Sequence, residues 1–355
     1  MTRTCTPSPL LWLIIAAVVA FPSRGRSDDG EPSPEALLRS HGLTRQGRLW
    51  ILPEEQQLGD RLDTLKRFEG RQREAMAFVE RLLDTNRGYL AQLTKVEETI
   101  KKTHELTDKA PAGTAQKKQL ETELKNEEAV AEQLRKQYIP PEKLGVGPPL
   151  KPALVDLANA QAEATIKFLA LRSVSVDLPQ LYEPLEKNAS VTAALAALPT
   201  KDRLGPRKEL RDEWRACVKR LDAALLNDAV PVYREGGVYR VTAIVNDRRP
   251  LTFTLGKGDE PTAIAQNLAE AAGIVAPADA RRVKYHAGEG RDVTAQVARI
   301  PLIRFGRDTA KNVEALVLPP EAADIGARIS SAALPGYKAQ IDGGNFQLKF
   351  EGVKP

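Results

Sequence analysis

The sequence holds only two cysteines and three histidines in 355 residues. Cys5 precedes an apolar run at the N-terminus, so loss of that segment would leave Cys217 alone and exclude a disulfide framework within one chain. His41, His104 and His286 lie far apart, with no cysteine or carboxylate at ligand spacing, so neither a metal nor another cofactor is expected. Aromatic residues make up only 5% of the chain, and no stripe of Lys and Arg interleaves with them, which argues against nucleic-acid binding. No repeat of fixed period is visible, which excludes a solenoid. G-x-S-x-G, a P-loop and H-E-x-x-H are all missing. No apolar run is long enough for a stable membrane span.

What is present describes a helix-rich, two-part molecule. Hydrophobic residues at 42% and charged residues at 28% allow most of the chain to fold, and its length suits about two domains. The formal charge is +5, but Arg3, Arg24 and Arg26 sit in or beside the N-terminal segment, and the rest is close to neutral. Arg3 followed by the run from Leu10 to Phe21 has the form and length of a secretory signal. Residues 1–26 are therefore expected to direct export to the periplasm, the cell envelope or the exterior, with an uncleaved anchor as the alternative.

Residues 27–57 read as a disordered stretch followed by a short packed entry segment around His41-Gly42-Leu43, Gly47 and Trp50-Ile51-Leu52. Residues 58–140 read as a coiled-coil helical hairpin. Its first helix is expected from about Pro53 to Leu106, with a four-three apolar seam from Met76 to Ile100 interrupted by Asn86 and Glu97. Lys109-Ala110-Pro111-Ala112-Gly113 must break the helix, and a second helix runs to about Tyr138 before Pro140-Pro141. The seam could pair within the chain or between two chains. Residues 141–227 supply a Gly145–Pro149 linker and an Ala-rich helix opened by Pro152 and interrupted by Pro179 and Pro184. A short helix capped by Ser190 and a last helix from about Pro206 to Leu226 follow. Cys217 shares a helical stripe with Trp214, Val218, Leu221 and Leu225, as a small buried apolar group would.

From residue 228 to 355 the pattern changes to short alternating runs. Strands are expected at Val230–Tyr233, Val238–Val245, Leu251–Leu255, Val283–Tyr285, Val293–Ile303 and Val313–Leu318, with turns at Glu235-Gly236-Gly237 and Asn246-Asp247. One helix is expected after Pro261, on Ile264, Leu268 and Ala271, closed by Gly273. The fold class is thus α+β multidomain: a helical, coiled-coil hairpin region and a small closed β-barrel-like domain.

The order of these C-terminal pieces resembles the retropepsin-like aspartic peptidases. Gly237 to Asn246 corresponds to the opening strand and its Asn-containing turn, and Leu251–Leu255 to the strand that leads into an Asp-Thr-Gly-Ala loop. Tyr285-His286-Ala287-Gly288-Glu289-Gly290-Arg291 resembles the flap hairpin, with Tyr285, His286, Gly288 and Gly290 as cleft candidates. Asn312 to Val317 resembles the later strand, while Ile325-Gly326 and Ile341-Asp342 match the closing motifs.

The departure falls where the chemistry would be. Aligned on Phe253 and Leu255, the loop reads Gly256-Lys257-Gly258-Asp259, so Gly256 stands where the resemblance implies a catalytic aspartate. Two carboxylates sharing a proton activate water in such enzymes, and glycine cannot exchange one. No catalytic residue is therefore assigned. Asp259 reads as a helix cap, Asp308-Thr309 as part of a turn, and Asp342 as part of the closing strand. The leading expectation is an exported, non-catalytic protein whose degenerate domain packs or binds a peptide or protein, carried on a helical stalk. An active peptidase using an unconventional carboxylate and a structural envelope component are the alternatives. A homodimer through the coiled coil or the β domain is expected.

Overall fold

The computed structural model describes residues 32–173, 178–226, 228–256, 260–288, 290–330 and 337–352; the expected signal segment lies outside them. The described chain opens with α1 (Pro34–Ser40), capped by the Ser33 hydroxyl, which accepts from the Ala36 N–H at 3.2 Å. A hairpin of β1 (Thr44–Gln46) and β2 (Leu49–Ile51) follows. Pro53 then starts α2 (Pro53–Lys109), at a position where its missing N–H leaves no helical bond unmade. At 57 residues, α2 is about 85 Å long.

The buried stripe of α2 includes Leu58, Leu62, Leu65, Glu69, Gln72, Ala75, Val79, Leu83 and Leu93, so the seam begins well before Met76. Its partner changes along its length. Leu93, with Ile100, meets Ala131 and Leu134 of α3 (Ala115–Gln137), which returns antiparallel after the Pro111 break. The two polar interruptions of the seam have structural uses. The Asn86 amide donates to Ile139 O at 3.1 Å and accepts from Ile139 N at 2.8 Å, which satisfies backbone beyond the end of α3. Glu97 accepts from Arg135 at 2.7 Å.

Further down the stripe, Leu58, Leu62 and Leu65 pack with Phe168 and Leu171 of α4 (Leu150–Arg172). Two short helices then follow, α5 (Leu178–Glu186) and α6 (Ala189–Ala197). Pro184 lies inside α5 instead of breaking a helix. Asn188, not Ser190, caps α6: its side-chain oxygen accepts from Ser190 N at 3.0 Å and from Val191 N at 3.4 Å. With Asn188 as the cap, Ser190 is already the second residue of the helix, two positions too far inside to do that work. β3 (Arg203–Leu204) pairs parallel with β2 and sets Trp50 beside it. α7 (Lys208–Leu225) completes the second core with Cys217, Leu221 and Leu225, all buried.

Glu69 is buried in this stripe and receives two Arg220 guanidinium nitrogens, the longer contact at 2.8 Å. Its carboxyl is held below the ordinary value of 4.5, first by the hydrogen bond from Arg220, against the opposing effect of burial. A carboxylate with a depressed folded pKa stabilises the fold above the unfolded pKa, and that contribution is lost as pH falls through the folded value. On acidification below about pH 4.5 the wild type is therefore expected to lose stability more steeply than Glu69→Gln, which lacks this one contribution. Parallel urea midpoints from pH 3 to 7 would check it; curves that stay parallel throughout would contradict it.

The C-terminal region contains β4 (Ala229–Glu235), β5 (Val238–Val245), β6 (Arg249–Leu255), β7 (Ala263–Ala265), α8 (Gln266–Ala271), β8 (Arg282–His286) and β9 (Asp292–Phe305). After these come β10 (Asp308–Leu318), a 3-10 turn at Pro320–Ile325, β11 (Ala327–Ile329), β12 (Tyr337–Asp342) and β13 (Gln347–Gly352). The strand order is β12-β13-β4-β5-β6-β11-β7-β10-β9-β8. The fold class is α+β as expected, but the sheet is not a closed barrel as such. β5 folds the sheet back onto β9 through only Ile244↔Arg304 and Val245↔Ile303, because β4 covers only the other end of β5, from Val238 to Val241.

Two local expectations are corrected here. Ile264 does not open a helix: Ala263–Ala265 is a strand, fully buried, paired parallel with Leu316–Leu318, and the helix is confined to Gln266–Ala271. Sandwiching between β10 and β11 outweighs the helical spacing of Ile264, Leu268 and Ala271. Asp308 and Thr309 lie in strand β10, opposite Phe305 and Arg304, and not in a turn.

One face of this sheet is covered by the helices. Ala75, Val79 and Leu83 of α2 and Leu154 and Leu157 of α4 share a single core with Val230, Val232, Val241 and Phe346. The small side chains of α4 at Ala153 and Ala160 let it approach closely. The helical and β regions are thus packed together through apolar surface.

Candidate active-site region

β6 carries the chain to Gly256. Phe253 and Thr254 anchor it, and β11 runs parallel beside it with Arg328 opposite Thr254 and Ile329 opposite Leu255. The Gly256 N–H donates to Ile329 O at 2.7 Å, extending the ladder by one bond. A β-carbon at residue 256 would stand 2.9 Å from Glu260 Oε2 and 3.4 Å from Cγ and Cδ of Arg328. Glu260 Oε2 accepts from Arg328 Nη1 at 3.1 Å. The space beside Gly256 is therefore occupied by an ion pair that is about one-third exposed on each side. A carboxylate is present, but its oxygen is engaged by a guanidinium. Lys257, Gly258 and Asp259 lie outside the described residues.

The other carboxylates raised by the sequence do not gather here. Asp342 accepts from Asn345 Nδ2 at 2.7 Å and from the N–H groups of Gly344 and Asn345 at 3.1 Å each. It shapes the β12–β13 turn, and the Asn345 amide holds its carboxyl below the usual range. Three strands separate β12 from β6 in the sheet. Asp308 begins β10, next to the turn at Gly306.

Tyr285, His286, Gly288 and Gly290 come together in the β8–β9 hairpin. Gly288 and Gly290 have φ of 85° and 75°, a region that penalises any β-carbon. His286 Nδ1 lies 2.9 Å from Asp292 across the hairpin. Tyr285 is buried in a cluster with Ala263, Leu316, Leu318 and Ala322, so the inner side of this hairpin is filled by side chains. Arg291 binds Asp324 through both oxygens, at 2.6 and 3.3 Å, and ties the hairpin to the 3-10 turn. Among the described residues, no three His, Cys, Asp or Glu side chains are placed to hold a metal.

A family model described as aspartyl protease matches residues 241–334, from β5 through β11. The C-terminal domain is retropepsin-like. That retropepsin-like domain includes Gly256, Glu260, the β8–β9 hairpin and Arg328, whereas the helices of residues 32–226 fall outside the match. A solved structure, a retropepsin-like aspartic protease from Rickettsia conorii, shares 18% identity over 34% of this chain and 96% of its own, with a TM-score of 0.26. No curated protein matches the chain.

The Glu260–Arg328 pair was not legible from sequence. The partners are 68 positions apart, too far for any local pattern to join them. One signal was available: Arg328 follows Ile325-Gly326 by two residues, on the strand that the resemblance sets beside the loop.

Proposed function

We propose that this is an exported, non-catalytic protein whose retropepsin-like domain serves in packing or in binding a peptide or protein. The observation that carries the reading is the ion pair at Gly256: position 256 has no carboxylate, and that of Glu260, which lies beside it, is held by Arg328. The filled underside of the β8–β9 hairpin favours a packing role for that face over an open substrate cleft. The core shared by α2, α4 and the sheet favours a rigid assembly in which the helices carry and brace the domain. Incubating the chain with a broad peptide library at acidic and neutral pH, with and without pepstatin, tests the reading. No inhibitor-sensitive cleavage is expected, and its appearance would promote the active-peptidase alternative.

Export rests on the run from Leu10 to Phe21. No helix among the described residues is long and apolar enough to cross a membrane. Ile14→Arg places a charge in the centre of the run and is expected to retain a fused reporter inside the cell. Continued export of that variant would sink the idea. Self-association is also expected: Met76 and Leu90 of the seam remain 40% and 43% exposed, and β12 and β8 end the sheet. Light scattering at tens of micromolar should give a dimer mass, and a monomer would remove this part of the reading.

A further inference from the structure

The ten-stranded sheet ends on two edges, β8 and β12, and the two differ in charge. β8 shows Arg282, Lys284 and His286 to solvent. A second copy laid antiparallel against it and centred on Lys284 would set lysine against lysine and arginine against histidine. Centred on Val283, it would set Arg282 against Lys284. Cations along an edge are a common defence against strand pairing, so β8 is protected from a second copy.

β12 has no such defence. Its six residues include neither proline nor glycine, and they pair with β13 without a bulge from Tyr337↔Gly352 to Asp342↔Gln347. It carries one lysine and one aspartate, at Lys338 and Asp342. Among the described residues, no element other than β13 packs extensively against it. Ile341 stands opposite Leu348, which is fully buried in the core shared with the helices, yet Ile341 itself is 39% exposed. Ala339, on the same face of the strand, is only partly buried against that core. The apolar layer of the sheet therefore runs out uncovered at this edge, where a further strand would continue it.

We infer that the partner of this edge is a second copy of the chain, with the two β12 strands paired antiparallel about a two-fold axis at Gln340. The pairing rests on the self-association proposed above and gives it a place. In this register Lys338 of each copy stands opposite Asp342 of the other, and Ala339 stands opposite Ile341. The contact is isologous, so each of these pairs occurs twice. With the axis at Ala339 or at Ile341, one of the two charges faces Gln340 and the other loses its partner. Asp342 is a fixed charge at the strand end, held by Asn345 Nδ2 at 2.7 Å and by the N–H groups of Gly344 and Asn345 at 3.1 Å each. β12 also lies beyond residues 241–334 of the family match, so this edge belongs to the chain's own C-terminal hairpin.

The test uses the exported chain, in which Cys5 has gone with the signal segment and Cys217 is buried. Position 340 lies on the axis, so Gln340→Cys sets two thiols directly opposite each other, within disulfide reach. Thiols from Ala339→Cys lie two positions out of register. At tens of micromolar under mild oxidation, Gln340→Cys is expected to give a covalent dimer on a non-reducing gel, and Ala339→Cys about a tenth as much or less. Lys338→Glu, which sets like charges opposite each other twice, should raise the dimer dissociation constant about tenfold in sedimentation equilibrium. Ile341→Lys should raise it further, and melting like that of the wild type would show that both variants fold. A wild-type dimer that Ile341→Lys leaves intact and Gln340→Cys does not cross-link would overturn the proposal while leaving self-association in place. A monomeric wild type would overturn both. Equal cross-linking at positions 339 and 340 would overturn the register.

Discussion

Placing an aspartate at position 256 is expected not to confer peptidase activity. Gly256→Asp with Lys257→Thr should remain silent in the library assay, because the new β-carbon would stand 2.9 Å from Glu260 Oε2. Two carboxylates would then compete for one guanidinium, and the new aspartate would be drawn to Arg328 instead of presented to water. Glu260 is the flexible end of a side chain, so the fold should accommodate the change at a cost of about 1 kcal/mol, as expected for a partly exposed pair. Adding Glu260→Ala and Arg328→Leu clears that space. General acid–base assistance is worth about two to four orders of magnitude in rate, so any recovered dyad would stand well above background. Cleavage by Gly256→Asp/Lys257→Thr alone would show that the Glu260–Arg328 pair is no obstacle. Cleavage only by the quadruple variant would identify the pair as what now fills the site.

The second large effect concerns Glu55, whose carboxylate is wholly buried at the start of α2. It accepts from Tyr182 Oη at 2.7 Å, from Arg207 N at 3.0 Å and from Arg207 Nε at 3.1 Å. Tyr182 Oη in turn accepts from Leu52 N at 2.7 Å. The network joins α2, α5 and the segment before α7, and burial, followed by the bond to Glu55, pushes the Tyr182 phenol well above its usual range. Glu55→Ala leaves Arg207 and Tyr182 without their partner, and breaking a buried pair in this way costs about 3–5 kcal/mol. A fall in melting temperature of roughly 10 °C is expected. The exposed neighbour Glu54 is the control, since Glu54→Ala should change stability by less than about 0.5 kcal/mol. Indistinguishable melting of the two variants would mean that the network contributes little.

Much of the local structure was legible in the residues. Pro53, the Pro111 break and the seam spacing placed α2 and α3, and the alternation between Val238 and Val245 reproduced β5 to the residue. Gly236-Gly237 and Asn246-Asp247 marked turns whose backbones do take positive φ. These features depend on one short stretch of chain and on the period of its own side chains. Where the reading failed, either a distant partner had overruled the local pattern or a neighbouring residue had a stronger claim to the same role. Ile264 sits in a helical spacing but is claimed by β10 and β11, and Ser190 loses its capping role to Asn188.

The sequence by itself determined that the chain has a helical part and a retropepsin-like part, and that glycine stands at position 256. The helical part follows from composition and period, and the likeness of the other part from a resemblance in motif order, all written along the chain. Only the tertiary structure decided what lies beside that glycine, because Glu260 and Arg328 meet through the parallel pairing of β6 with β11. It also decided the fate of the polar seam residues. Glu69 finds Arg220 on α7, Asn86 finds the end of α3, and Gln72 faces a cleft, although all three fall on the seam of one repeating pattern. A heptad records which side of a helix is covered, while the covering element is chosen by contacts between segments scores of residues apart.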